Sequence, residues 1–103
     1  METTVTGRHV EITDAIRDYM TEKANRLPRY FDRVQQIEVI ADKPDNRNYM
    51  VELIVHVEHH DAFVARGKNT DLYACVDEAC DKMERQLTDH KEKLRNRKHQ
   101  ASQ

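Results

Sequence analysis

Leu72, Val76, Ala79, Met83, Leu87 and Leu94 recur at helical spacing through the last third of this chain. One apolar stripe of that length predicts a long amphipathic helix, and such a helix folds only against a second layer that covers the stripe. Thr70 or Asp71 caps its start, since either side chain can accept a hydrogen bond from a first-turn backbone N–H. Gly67, just upstream, reads as the point where the chain leaves a preceding strand. Winding the helix at about 100° per residue sets Lys82 and Lys93 along one border of the stripe. Lys91, Arg95 and Lys98 fall along the other, with Asp77, Asp81, Glu84 and Glu92 on the back. Two readings of these cationic borders stand side by side: a surface for a polyanion, or Lys and Arg stems laid over the edge of the core.

The second layer is legible upstream. In residues 49–58, Tyr49, Val51, Leu53, Val55 and Val57 alternate with Met50, Glu52, Ile54, His56 and Glu58. Period two with one apolar face marks a strand of a sheet covered on one side. A further strand is expected over Val34–Ala41, where Val34, Ile37, Val39 and Ile40 alternate too irregularly to decide the inward face. Thr3–Arg8 and Ala62–Arg66 complete four strands. Between the first two, Thr13 caps a helix whose apolar face is Ile16, Tyr19, Met20, Ala24 and Leu27, ended or kinked by Pro28. The order is βαβββα. A helical crossover makes the first two strands parallel and hairpins make the rest antiparallel, which gives an α+β fold: a four-stranded sheet with two helices packed on one face.

Length and composition narrow the function. The chain of 103 residues holds one domain with one modest core, expected over residues 1–98 with 99–103 as a disordered tail. Charged residues make up 35% and mean hydropathy is −0.93, yet the periodic apolar positions argue for a folded domain with a very polar surface. The net charge of −2 excludes binding to nucleic acid through the global field, so any phosphate contact rests on local segregation of charge. No stretch approaches the roughly 20 apolar residues of a membrane span, so the expectation is a cytoplasmic protein with no membrane partner. Cys75 and Cys80 diverge by about 140° on one helix, which suits neither a disulfide nor a shared metal. Reduced thiols, in the core or half-buried, are expected.

No Ser, Cys or Thr sits in a nucleophile motif and no glycine-rich loop can cradle a phosphate, so neither an enzyme, a cofactor nor a small-molecule substrate is expected. His56, His59 and His60 are near neighbours, but adjacent strand residues point to opposite faces, and exposed histidines are favoured over a metal site. Phosphate binding has more behind it. Lys23 and Arg26 flank the first helix's apolar face as Lys82 and Lys93 flank the second's, and helices packed side by side would bring those borders into one groove. Tyr73, in the first turn of the long helix, is read as a packing residue before a base-stacking one.

Three segments carry a family resemblance: TGRHVEITDAIRDYM at 6–20, LPRYFDRV at 27–34 and GKNTDLYACVDEACDKMERQLTDHKEKLR at 67–95. Together they resemble the ribosome hibernation promoting factors, a family that also contains the ribosome-associated translation inhibitors. The D-L-Y-A run from Asp71 to Ala74, followed by K-x-x-R-Q-L from Lys82 to Leu87, is the most specific part. The resemblance implies a fold like that of double-stranded RNA-binding domains. It implies binding to rRNA of the small ribosomal subunit between head and body, where messenger and transfer RNA are excluded under stress or in stationary phase. The family's basic positions fall on Lys68, Lys82, Arg85, Lys91 and Lys93. Arg95, from the sorted border, and Lys23 and Arg26, from the groove argument, complete the expected RNA-binding set.

The chain resembles the short form, which lacks the C-terminal ribosome-pairing domain of long members and the acidic tail of the inhibitors, and the resemblance implies a role in forming ribosome dimers with a separate ribosome-dimerisation partner. Two rivals remain. One is a protein-interaction module that modulates a transcription factor through its acidic and sheet surfaces; the other is a generic duplex-RNA binder.

Overall fold

The computed structural model describes the backbone of residues 1–101 and the side chains of residues 1–97. Four strands and two helices follow in the expected order: β1 (Glu2–Arg8), α1 (Asp14–Ala24), β2 (Val34–Asp42), β3 (Tyr49–Val57), β4 (Phe63–Asn69) and α2 (Leu72–Ala101). The sheet order is β1-β2-β3-β4, with β1 parallel to β2 and the other two pairs antiparallel. α2 runs on to Ala101, past the expected boundary at Lys98; of the expected tail, 102–103 lie outside the described residues.

The core lies between one face of the sheet and both helices. Ile37, Val39 and Ala41 of β2 and Val51, Leu53, Val55 and Val57 of β3 are buried against Ile16, Met20 and Ala24 of α1 and Val76, Ala79, Met83 and Leu87 of α2. This decides the inward face of β2. Ile40 points to the open face, and a register irregularity between Val34 and Gln36 lets Val34 turn inward as well. Cys75 and Cys80 are free buried thiols, and burial pushes the Cys80 pKa up to about 12.

Both helix starts follow the capping logic. The Thr13 hydroxyl accepts from the Ile16 N–H at 3.3 Å, and the Asp71 carboxylate, rather than Thr70, accepts from the Tyr73 N–H at 3.2 Å. α1 ends at Ala24, earlier than the reading from Pro28; Pro28 sits instead in a short 3-10 turn, Leu27–Arg29, that buries Leu27.

Gly67 corrects the expected end of the last strand. β4 does not stop at Arg66; it continues through Gly67 to Asn69, pairing Gly67 with Val51. The glycine is needed for proximity, because a β-carbon there would stand 2.2 Å from the carbonyl oxygen of Cys75. α2 therefore lies hard against β4. Its side chains also cover the strand's outer edge: Lys82 Nζ donates to the Arg66 carbonyl at 2.8 Å and Gln86 Nε2 to the Val64 carbonyl at 2.9 Å. Two free carbonyls of an edge strand are thereby closed to pairing with another chain.

Candidate nucleic-acid interface

α2 carries the site. Its first turns are held by Asp71 and by Glu78, whose carboxylate accepts from the Lys68 N–H at 3.1 Å and the Asn69 amide at 3.2 Å, tying the helix to the end of β4. Met83 and Leu87 are completely buried, and Leu94 is half-buried. Over residues 91–97 only Leu94 still faces the core, while Lys91, Lys93, Arg95 and Arg97 are exposed. Glu92 is the single acid among them. Cations near a helix C-terminus also complement its dipole, so this end of the rod is electrostatically consistent with itself.

What separates these cations from ordinary surface charge is their lack of partners. Among the described residues, ion pairs draw their cations from Lys23, Arg26, Arg66 and histidines, and none comes from α2. Lys82, Arg85, Lys91, Lys93 and Arg95 are all exposed without a carboxylate within ion-pair distance among those residues. Lys82 is nonetheless committed in part, by its bond to the Arg66 carbonyl. Lys68 projects from the open face of β4 in register with Met50, apart from the α2 cluster. The side chain of Lys98 lies outside the described residues.

Lys23 and Arg26 sit elsewhere and are neutralised. Lys23 Nζ is 3.2 Å from Asp77 Oδ1, and the Tyr19 hydroxyl donates to the same carboxylate oxygen at 2.5 Å. The hydrogen bond to Asp77 raises both the Lys23 and the Tyr19 pKa. Arg26 pairs with Glu22 one turn earlier on α1 at 2.8 Å. The single groove expected from Lys23, Arg26, Lys82 and Lys93 is therefore not formed. α1 packs along the border of α2 that carries Asp77, while Lys82 lies on the opposite border, against β4. Asp77, expected on the solvent back of α2, is an interhelix ligand. Tyr73 stands edge-on to Tyr19 at 4.9 Å and is 41% exposed, a packing residue with one free face.

Sequence reasoning missed part of this surface. Arg33, in the loop before β2, joins Phe31, Asp32, Lys91, Leu94, Arg95 and Arg97 around a cleft of about 240 Å³. Arg97 was visible four residues after Lys93, but nothing in the order of residues brings Arg33 to the end of α2. The three clustered histidines go separate ways: His56 meets Glu38 at 2.6 Å across β2 and β3, His59 meets Glu58 at 3.0 Å, and His60 stacks on Phe63. His90 of α2 joins that aromatic group. Burial lowers its pKa, helped by His60, Lys93, Arg97 and Arg33.

These features define a class: a small α+β domain with both helices on one sheet face and a cationic stretch of the last helix that forms no ion pair among the described residues. The particular family follows from comparison with known proteins. The sequence profile of the family described as Sigma 54 modulation protein / S30EA ribosomal protein matches residues 3–95, and the chain belongs to that family. It is 39% identical over 93 residues to the ribosome hibernation promoting factor of Azotobacter vinelandii, covering 90% of this chain and 85% of that one. It is 38% identical over 95 residues to the Escherichia coli K12 protein of the same name, covering 92% and 98%. Among solved structures, the N-terminal domain of Thermus thermophilus Protein Y superposes with a TM-score of 0.74 at 33% identity, over 84% of this chain and 94% of that one. A ribosomal subunit interface protein from Coxiella burnetii gives 0.81 at 26% identity, over 88% and 98%.

Proposed function

We propose that this chain is a ribosome hibernation factor. It binds the small ribosomal subunit in the decoding channel between head and body, blocks messenger and transfer RNA by occupancy, and inhibits translation under stress or in stationary phase. The observation that carries this reading is the row of α2 cations without acidic partners, in a chain whose relatives are named ribosome hibernation promoting factors. Cations at spacings fixed by one rigid helix can span backbone phosphates without reading bases. Lys82, Arg85, Lys91, Lys93 and Arg95 make those contacts, with Lys68 from β4. Lys23 and Arg26 enter only by exchanging Asp77 and Glu22 for phosphate. The protein works in the cytoplasm without cofactor or chemistry, and it promotes the pairing of ribosomes together with a separate partner.

Cosedimentation with isolated small and large subunits across a salt series tests the proposal. The variant to run beside it is Lys91→Glu with Lys93→Glu, since both side chains are exposed and hold no structural bond among the described residues, whereas Lys82 supports β4. Binding to the small subunit alone is expected, with the slope of log affinity against log salt reduced by at least about 1.4 in the variant, because each lost phosphate contact removes about 0.7 to 0.9. Absence of small-subunit binding at low salt refutes the proposal. A transcription-factor module would instead retain its protein partner in the variant.

A further inference from the structure

At the end of the sheet where β3 turns into β4, four rings meet. The His60 ring lies parallel to Phe63, with 4.6 Å between centroids and 9° between planes. His90 of α2 stands edge-on to both, 4.6 Å from His60 and 5.1 Å from Phe63, and Phe31 closes on His90 at 5.0 Å. Offset stacks and edge contacts at these separations are favourable packing geometries. Packing alone, however, leaves one fact without a cause. His60 is exposed and Phe63 only half-buried, so the stack is displayed instead of covered. In the turn that displays it, His59 takes the left-handed conformation, with a φ of 60°, that a tight connection between antiparallel strands uses.

The ring is also held in place. His60 Nδ1 is 2.6 Å from the Asp61 carbonyl oxygen, which fixes the proton on Nδ1 and the plane of the imidazole. In front of it opens a cleft of about 350 Å³ whose walls include His60, Phe63, Asp89, His90, Lys93 and Arg97. That volume is at the lower end of the range of small-ligand sites, about 300 to 1,000 Å³. The chemistry of the walls is divided: aromatic faces on the β3–β4 side, and on α2 two cations one helical turn apart, neither with a carboxylate within ion-pair distance among the described residues. Asp89, one helical turn before Lys93, offers an acceptor on the same wall.

Aromatic faces beside unpaired cations match an unpaired nucleotide, whose base presents a π-face and whose phosphate carries the charge. We infer that this cleft takes one unpaired nucleotide of RNA, its base stacked on the His60–Phe63 pair and its phosphate held by Lys93 and Arg97. Asp89 accepts from an exocyclic amino group of the base. The inference deepens the proposed function and rests on its RNA-directed reading. It adds a contact to a base where the helix cations touch only backbone.

The test is an anisotropy titration with a short oligo-adenylate and with an abasic oligomer of the same length and charge. Wild type, His60→Ala, His60→Phe and Lys93→Gln are compared, with small-subunit cosedimentation of wild type in parallel. Wild type is expected to prefer oligo-adenylate by about 5- to 150-fold, the range for one stacked base. His60→Ala removes that preference with its salt slope unchanged, His60→Phe keeps it, and Lys93→Gln lowers the slope for both oligomers by about 0.7. Equal binding of the two oligomers by wild type, or an undiminished preference in His60→Ala, overturns the inference. If equal binding accompanies intact small-subunit cosedimentation, only the nucleotide site falls. A base preference without cosedimentation upholds the site and removes the ribosome.

Discussion

Replacing Gly67 by Ala tests whether the seam between β4 and α2 is as close as the geometry makes it. In a strand interior the bland expectation is a gain, since glycine costs roughly 0.5 to 1 kcal/mol relative to alanine. Here the added carbon would lie 2.2 Å from the Cys75 carbonyl oxygen, 2.9 Å from Glu78 Cβ and 3.0 Å from the Ala79 nitrogen. The first and last are helix backbone, which has no rotamer to turn away. Inserting a methyl group into a packed interior costs about 1 to 3 kcal/mol, and rigid neighbours place this site at the upper end. The helix must retreat by about 1.2 Å to reach ordinary contact at 3.4 Å, which strains the Lys82 and Gln86 bonds to β4 as well. Net of the propensity gain, Gly67→Ala should destabilise the fold by about 2 kcal/mol, or about 10 °C in Tm for a domain of this size. Urea unfolding followed by far-UV circular dichroism measures it. Gly7→Ala is the internal comparison. Its carbon would meet the Val10 carbonyl at 2.6 Å and the Ile12 side chain at 2.8 Å, a short connecting loop and a movable side chain, so the loss should be smaller. A Gly67→Ala protein as stable as wild type, or one that loses less than Gly7→Ala, refutes the reasoning.

Three further outcomes follow from the core and its edges. Leu87→Ala, at a fully buried position of α2, should cost about 2 to 5 kcal/mol by urea denaturation, because the cavity closes only in part. Burial, His60 and the nearby cations hold the His90 pKa below 6.5 in the folded state. The unfolded chain therefore binds the extra proton first, and the contribution of this group is complete above the unfolded pKa and lost as pH falls through the folded one. An NMR titration should find His90 below 6.5, and His90→Gln should flatten the fall in Tm on acidification. Cys80, with its thiol pushed up to about 12 and buried, should resist aromatic disulfide reagents in native protein and react at once in denaturant.

How much of this was legible in the chain depends on which interaction governed each element. β3 reads correctly because alternation over nine residues has one consistent face. α2 reads correctly because its stripe persists over six positions at helical spacing, and Cys75 and Cys80 joined it as buried thiols. Ile40 left the inward face of β2 undecided, since an apolar residue on an open sheet face is indistinguishable by type from a core one, and the register irregularity that turns Val34 inward leaves no mark on composition. Gly67 was legible as special but not in kind: a glycine that ends a strand and one that lets a helix approach look the same until the helix is placed. The RNA-binding set divides along the same line. Angles on one helix sort Lys82 and Lys93 from Lys91 and Arg95 without error, but they do not say which border faces α1. That is decided by packing, and packing gives Lys23 to Asp77.

The same packing bears on how a chain of net charge −2 can address a polyanion. A uniform surface of this composition would repel RNA weakly at every approach. Pairing changes the balance locally. Asp77, Glu22 and Glu52 are engaged by Lys23, Arg26 and Arg66, so these acids and bases cancel in pairs at short range. The positive excess is concentrated on residues 91–97 of α2, where four cations face one acid, while residues 1–90 hold twelve Lys and Arg against eighteen Asp and Glu. Over a screening length of about 8 Å at physiological salt, an approaching phosphate at that end senses those cations and little of the remaining surface. Lys91, Lys93, Arg95 and Arg97 therefore act as a local field of fixed direction, and the net charge of the chain sets only how little it binds elsewhere.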